Sequence, residues 1–187
     1  VRQPWSDGQV GTIGLSYTGA VQQALAVTDP PGLKAQFIMD CGYNYHTHTI
    51  RAGGAFTSGV LFPYAFRMAR DGKEAQRDPL VRRTLIEAYP DLAEWFSSLP
   101  LKRGGSPLSV APTYEDMLLT FASRGDYDEF WKNPASNLEE HIDNYADVPV
   151  FLLTSWYGHH PWATTTKFVE LRKRLKSLGV DLEVLGI

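Results

Sequence analysis

The chain has 187 residues, of which 43% are hydrophobic and 21% charged, and its formal net charge is −3. These ordinary values indicate a globular protein and exclude a disordered chain or a strongly basic nucleic-acid-binding surface. No apolar run approaches the roughly 20 residues of a membrane-spanning helix, and a single cysteine, Cys41, excludes an internal disulfide. We therefore expect no nucleic-acid or membrane partner, while the compartment and the oligomeric state stay open.

The beginning of the chain predicts one βαβ unit. Residues 9–15 are a short, glycine-flanked apolar run typical of a buried strand, and residues 17–27 are rich in helix formers. The helix is expected to end at the Pro- and Gly-containing segment 29–32, which is followed by a second apolar run over residues 33–39. This order predicts two parallel strands joined by a right-handed crossover.

The middle of the chain predicts a mostly helical insertion over residues 56–145. Apolar residues recur there at helical intervals, and Pro and Gly residues divide the segment into several helices. An insertion of this kind can serve as a lid, or it can be a helical bundle without a chemical role. We accordingly predict three segments: an α/β core over residues 1–55, the insertion, and a return to the core over residues 146–187.

The last part of the chain predicts strand, helix and strand. Residues 148–154 form a nearly continuous apolar strand, residues 163–178 a helix, and residues 182–187 a final strand. We interpret the basic residues of that helix as an ordinary solvated face, which comprises Lys167, Arg172, Lys173, Arg174 and Lys176.

Ser16 lies between the first predicted strand and the first predicted helix, in the run Gly-Leu-Ser-Tyr-Thr-Gly. A serine on such a sharp turn presents its hydroxyl above the sheet edge, and the N–H of the next residue, Tyr17, can stabilise an oxyanion. The generic motif has its second glycine two residues after the serine, whereas here Thr18 precedes Gly19. Ser16 is therefore a candidate nucleophile, and the alternative is an ordinary turn with an incidental serine.

The segment Gln-Pro-Trp-Ser-Asp-Gly-Gln-Val-Gly of residues 3–11, running into this motif, resembles a known α/β-hydrolase family. The family contains cocaine esterase, α-amino acid ester hydrolases, glutaryl acylases and X-Pro dipeptidyl peptidases, and the displaced glycine is its own form of the motif. Tyr-Asp-Glu-Phe-Trp at residues 127–131 and the stretch 147–157 match two further family segments. The resemblance implies a partial α/β-hydrolase fold, a parallel sheet with a mostly helical cap insertion.

The same resemblance implies a serine hydrolase that acts on a small-molecule ester or amide without a cofactor. Ser16 would be the nucleophile, and the N–H of Tyr17 would form half of the oxyanion hole. The family takes its second oxyanion donor from a tyrosine before this motif and its histidine base from a loop after the last predicted strand. Both would lie outside the chain, so we expect a truncated fragment of a longer hydrolase that is inactive in isolation.

The chain departs from the family at the acidic residue of the triad. The family has Asp after Trp-Tyr, whereas this chain has Gly158, and no carboxylate follows up to residue 169. His159 and His160 come next, and we interpret them as a loop pair, with a substitute catalytic role as the alternative. Loss of the acid also supports a second hypothesis, a degenerate non-catalytic homologue that acts as a binding or structural protein.

Other polar residues give weaker signals. His46 and His48 on an extended stretch would share one face, but two histidines without a third ligand do not make a zinc site, so no metal is expected. Asp40 ends the second predicted strand, where it either lines the pocket beside Ser16 or is a solvated or capping residue. Cys41 is interpreted as a small buried hydrophobic residue.

Overall fold

The computed structural model describes residues 1–97 and 99–177. The chain forms two compact units: Val1–Thr49 with the chain from Tyr127 onward, here called the sheet unit, and Ile50–Asp126, here called the helical unit. The insertion predicted from the sequence extends to residue 145. In the structure residues 127–145 associate with the strands, because Leu138 and Tyr145 are buried in the core of the sheet unit.

The sheet unit contains three parallel strands in the order β1 (Val10–Leu15), β2 (Leu33–Met39) and β3 (Val150–Leu153). The second strand has the bounds expected from its sequence, and the predicted return of the chain as a parallel strand is confirmed. The strand predicted over residues 182–187 lies outside the described residues. Three parallel strands with helices on the connections make this a partial α/β fold.

The described helices alternate with the strands and fill the middle of the chain. They are α1 (Tyr17–Val27), α2 (Ser58–Arg70), α3 (Lys73–Arg77), α4 (Pro79–Ala88), α5 (Leu92–Ser97), α6 (Pro112–Ser123) and α7 (Pro161–Ser177). Short 3₁₀ helices occur at Ala52–Gly54, Tyr89–Asp91, Pro107–Val110, Glu129–Lys132 and Glu139–Asn144, and a π-helix at His46–Ile50. The middle of the chain is therefore mainly helical, as predicted.

One face of the sheet carries the core of the sheet unit. Helices α1 and α7 contribute Ala26 and Leu171 to a buried cluster that also contains Leu33, Tyr43, Leu138, Tyr145, Ala146 and Ala163. Gln36 of β2 is buried on the same side, where it donates to the carbonyl of Gln22 at 2.9 Å. Side chains alternate along a strand, and the opposite face has exposed apolar residues: Ile13, Leu15, Phe151 and Leu153.

The helical unit is held together by the apolar face of α2. Buried side chains recur along this helix at Leu61, Phe62, Ala65, Phe66 and Ala69, which form one continuous stripe. Helices α4 and α6 contribute the buried residues Leu85 and Leu118. No helix among residues 1–97 and 99–177 is both long and apolar enough to cross a membrane.

Candidate active site

Ser16 occupies the sharp turn between β1 and α1. It directly follows the strand and caps the helix, its side chain is exposed, and its backbone angles are φ 58° and ψ −120°. Positive φ is uncommon for residues with a side chain, so the surrounding contacts must hold this conformation. The predicted strand-to-helix turn with unusual backbone angles is confirmed.

Backbone hydrogen bonds fix the Ser16 turn on both sides. The N–H of Ser16 donates to the carbonyl of Met39 in β2 at 2.9 Å, and its carbonyl accepts from Gly19 and Ala20 at 2.9 and 3.1 Å. Tyr17 is the first residue of α1, so its N–H has no partner within the helix. A helix N-terminus with such N–H groups favours a negatively charged oxygen nearby.

Two glycines let α1 lie close to β1 and to Cys41, which follows β2. A Cβ atom at Gly14 would lie 2.7 Å from the carbonyl of Thr18, and a Cβ atom at Gly19 would lie 3.1 Å from Sγ of Cys41. The contact at Gly14 is the more restrictive of the two, because it is made by backbone atoms that cannot rotate away. These glycines therefore fix where the helix begins relative to the strand, and with it the position of Ser16.

The three strands end in step, which aligns the residues that follow them. Leu15 pairs with Met39, and Met39 pairs with Leu153. The N–H of Asp40 then donates to the carbonyl of Leu153 at 2.7 Å, as the N–H of Ser16 does to Met39. Ser16, Asp40 and Thr154 are thus the first residues beyond three adjacent strands, at the carboxyl edge where open α/β sheets bind ligands.

Asp40 is held at this edge by its neighbours. It is half-buried, its φ is 41°, and its carboxylate accepts a hydrogen bond from the Thr154 hydroxyl at 2.7 Å. A Cβ atom at Gly158 would lie 3.0 and 3.1 Å from the two carboxylate oxygens of Asp40 and 2.7 Å from Oγ of Ser155. The carboxylate of Asp40 therefore borders the space into which a side chain at position 158 would extend.

The two adjacent histidines have different environments. His159 is exposed, whereas His160 is buried just before α7, and their ring centroids are 6.2 Å apart. Burial lowers the pKa of His160, and the negative charge of Asp40 acts in the opposite direction. Nδ1 of His160 is buried without a hydrogen-bond partner in the described part of the chain. Of these two imidazoles, that of His160 is thus the enclosed one.

A buried lysine contacts Cys41, the residue after Asp40. Lys167 is 0% exposed, and its ammonium group donates to Sγ of Cys41 at 3.0 Å. Cys41 is buried, as interpreted from the sequence. The assignment of Lys167 to a solvated face was wrong, because Lys167 lies on the same helical stripe as the buried residues Ala163 and Leu171. Burial lowers the pKa of this lysine, and the interaction with Cys41 opposes that shift.

His46 and His48 do not lie on an extended stretch, so that expectation was wrong. Both belong to a π-helix, and the two rings contact different aromatic side chains. The ring centroids of His48 and Trp162 are 4.4 Å apart, and those of His46 and Trp131 are 5.0 Å apart. Residues two apart share one face of a strand, but they do not share one face of a helix. Within the described residues no group of three or more His, Cys, Asp or Glu side chains could hold a metal ion.

Comparison with known families assigns the chain. The family model of the X-Pro dipeptidyl-peptidases (S15 family) matches residues 1–182. The chain belongs to this family. The S15 family has the α/β-hydrolase fold, and the parallel sheet, the crossover helix and the serine turn described above are a partial form of it. No individually curated protein matches the chain significantly.

Membership in the S15 family makes this chain part of a family of hydrolases. The structure adds two features that the sequence interpretation missed, the buried pair Lys167–Cys41 and the contact of Asp40 with position 158. The spacing of Ala163, Lys167 and Leu171 is a local signal that indicates the first of them. The contact of Asp40 with position 158 depends on strand register, and no local sequence pattern predicts it.

Proposed function

We propose that this chain carries the nucleophile of a serine hydrolase that cleaves an ester or amide bond through an acyl-enzyme on Ser16. The observation that supports the proposal most is the exposed Ser16 at φ 58° and ψ −120° between β1 and α1. This backbone conformation is costly for a residue with a side chain, and such residues cluster at functional sites. The hydrolase family of the chain supports the same reaction class.

In the proposed reaction Oγ of Ser16 bonds to the carbonyl carbon of the substrate, and its proton passes to a base and then to the departing alcohol or amine. Water next cleaves the acyl-oxygen bond and restores the Ser16 hydroxyl. The negative oxygen of each tetrahedral intermediate accepts a hydrogen bond from the N–H of Tyr17 at the start of α1. This N–H stabilises the negative charge of the transition state effectively, because it is already oriented before the reaction begins.

We propose a small acyl group or an X-Pro dipeptidyl group as the portion transferred to Ser16. Apolar side chains are exposed directly beside the serine and after β3, with 58% of Leu15, 69% of Tyr17 and 86% of Trp156 accessible. They offer apolar surface at the carboxyl edge of the sheet, where pockets commonly recognise substrates through apolar contacts.

A degenerate homologue that binds without catalysis is the second candidate, and Gly158 favours it. A glycine brings no carboxylate to the position after Trp156-Tyr157, and a serine hydrolase uses a carboxylate to orient its histidine. Under this hypothesis the protein keeps the serine turn but does not hydrolyse ester or amide substrates.

The test compares Ser16→Ala with the parent in the full-length polypeptide. Ser123→Ala, which changes an exposed serine of the helical unit, serves as the control. We expect Ser16→Ala to lose at least about 10³-fold in kcat on p-nitrophenyl acetate or on an X-Pro p-nitroanilide, because the nucleophile is removed. The same change should abolish labelling by a fluorophosphonate, whereas the control keeps both. Turnover that persists in Ser16→Ala contradicts the proposal, and a parent without turnover or labelling supports the non-catalytic homologue.

A further inference from the structure

We infer that Asp40 is the acid of the catalytic triad, a positioning residue that orients the imidazole serving Ser16 and stabilises its positive charge. The inference rests on the proposed function. The acid would then directly follow β2, the strand between β1 and β3, and would not lie in the loop after β3. Four observations carry it, beginning with strand register.

The register places Asp40 beside the nucleophile turn. Ser16 and Asp40 each follow directly on adjacent parallel strands, and each donates its N–H to the last register residue of the next strand, at 2.9 and 2.7 Å. Adjacent strands lie about 4.8 Å apart. A carboxylate and a serine on neighbouring strand ends can therefore contact the same imidazole from two sides, which is the arrangement a triad needs.

Asp40, like Ser16, has a positive φ. Its φ of 41° lies in the left-handed region, where Asp is among the few residues that occur without large strain. Its carboxylate accepts from Thr154, a hydroxyl supplied by the third strand, at 2.7 Å. This hydrogen bond fixes one oxygen and leaves acceptor capacity on the carboxylate for an imidazole N–H.

Position 158 shares its space with this carboxylate. A Cβ atom there would lie 3.0 and 3.1 Å from the two oxygens of Asp40, so a carboxylate introduced at 158 would reach the same region of the site. The absence of a side chain at Gly158 keeps that region open for Asp40. The environment also includes His160, on which the charge of Asp40 acts.

The experiment moves the carboxylate between the two positions in the full-length polypeptide. The variants are Asp40→Asn, Asp40→Ala, Gly158→Asp and the double change Asp40→Ala with Gly158→Asp. Thr154→Val removes the hydroxyl donor but keeps the carboxylate. Turnover of p-nitrophenyl acetate gives kcat and KM, and circular dichroism with thermal unfolding reports folding.

We expect Asp40→Asn to lower kcat by about 10³- to 10⁴-fold at nearly constant KM, because an amide cannot stabilise the imidazolium. The double variant should exceed Asp40→Ala by at least tenfold, since a carboxylate returns in the loop after β3. Gly158→Asp alone should not exceed the parent, because the new side chain would begin 3.0 Å from the Asp40 carboxylate and bring a second negative charge to it. Thr154→Val should lose only a few-fold.

A kcat of Asp40→Asn within a few-fold of the parent, while Ser16→Ala is inactive, overturns the inference and leaves the proposed function intact. A folded double variant that is no more active than Asp40→Ala also overturns it, because a merely structural loss is not restored by a carboxylate at 158. Turnover that persists in Ser16→Ala contradicts the proposed function itself, so the two failures are distinguished.

Discussion

The two units of the molecule differ in what holds them together. Ten polar or charged residues are buried among the described residues, and Glu115 is the one that belongs to the helical unit. The sheet unit has the others: Gln22, Gln23, Gln36, Asn44, His48, Asn137, His160, Thr164 and Lys167. Buried polar groups require partners at defined distances and angles, whereas an apolar core tolerates exchanges of similar volume.

Hydrogen bonds within the sheet unit follow this difference. Tyr145 donates to the amide oxygen of Gln36, whose amide nitrogen donates to the carbonyl of Gln22 in α1. Gln23 donates to the carbonyl of Gly42 at 3.0 Å, which ties the same helix to the segment after β2. The helix that begins at the serine turn is thus positioned by side-chain hydrogen bonds. The sheet unit therefore depends on defined distances and angles more than the helical unit does.

The largest effect is expected for Phe66→Ala in the helical unit. Phe66 is 0% exposed, and truncating a buried phenylalanine costs about 3–5 kcal/mol, because a cavity replaces its contacts. Met68→Ala on the same helix, at a side chain that is 42% exposed, should change stability by about 0.5 kcal/mol or less. Urea unfolding measures both free energies.

Hydrogen exchange reports the stability of the two units separately. If the helical unit depends on packing of its own, Phe66→Ala should increase amide exchange in α2, α4 and α6 and leave β2 protected. Equal loss of protection in the strands would contradict the division into separately stabilised units.

A smaller effect, on catalysis rather than on stability, is expected for Gly14→Ala. The new Cβ would meet the backbone of Thr18 at 2.7 Å, so α1 and the Ser16 turn must shift. Misplacing a reacting group by about 1 Å can cost about 10²-fold in rate. Ester hydrolysis by the full-length polypeptide measures kcat, with Gly59→Ala as the control, because a Cβ at Gly59 meets nothing within 4 Å. An unchanged kcat for Gly14→Ala would show that the close approach of helix and strand does not position the nucleophile.

The smallest effect near neutral pH is expected for Lys167→Met, which replaces the buried ammonium by an apolar side chain of similar length. The folded-state pKa of Lys167 lies below its ordinary value of 10.5, so the unfolded chain binds the proton more tightly. Stability of the parent should therefore rise as pH increases through the window between the lowered pKa and 10.5. Lys167→Met should remove this rise.

Urea unfolding from about pH 7 to pH 9.5 measures the slope, before the buried tyrosines contribute. Burial raises the pKa of Tyr43 and Tyr145, so their contribution falls only above about pH 10. Lys173→Met, at an exposed lysine of the same helix, is the matched control and should keep the slope of the parent. A parent whose stability does not rise in this range would contradict the lowered pKa of Lys167.

Local signals predicted the elements that surround the site. The Pro and Gly residues between α1 and β2 mark the end of the helix at Val27 and the start of the strand at Leu33. The serine turn follows from glycines at 14 and 19, whose spacing is visible in the sequence. These features depend on residues that are neighbours in the chain, so the sequence alone predicts them.

Contacts between distant residues were not predicted. Asp40 meets Thr154 across 114 positions, and Lys167 meets Cys41 across 126, so both pairs depend on how strands and helices come together. The π-helix at His46–Ile50 was missed for a related reason, because aromatic neighbours from other segments, Trp131 and Trp162, enclose its histidines. Tertiary packing decided these features over local preference.

The space shared by Asp40 and Gly158 has a consequence for how such a protein can change over generations. A side chain at position 158 would begin 3.0 Å from the Asp40 carboxylate, and two neighbouring carboxylates cannot both be ionised at low cost. A lineage that moves its acidic residue from one strand to the next must therefore pass through an ancestor with both carboxylates or one with neither. The first kind of ancestor would hold one proton between the two groups, and the second would leave the imidazole without an orienting carboxylate.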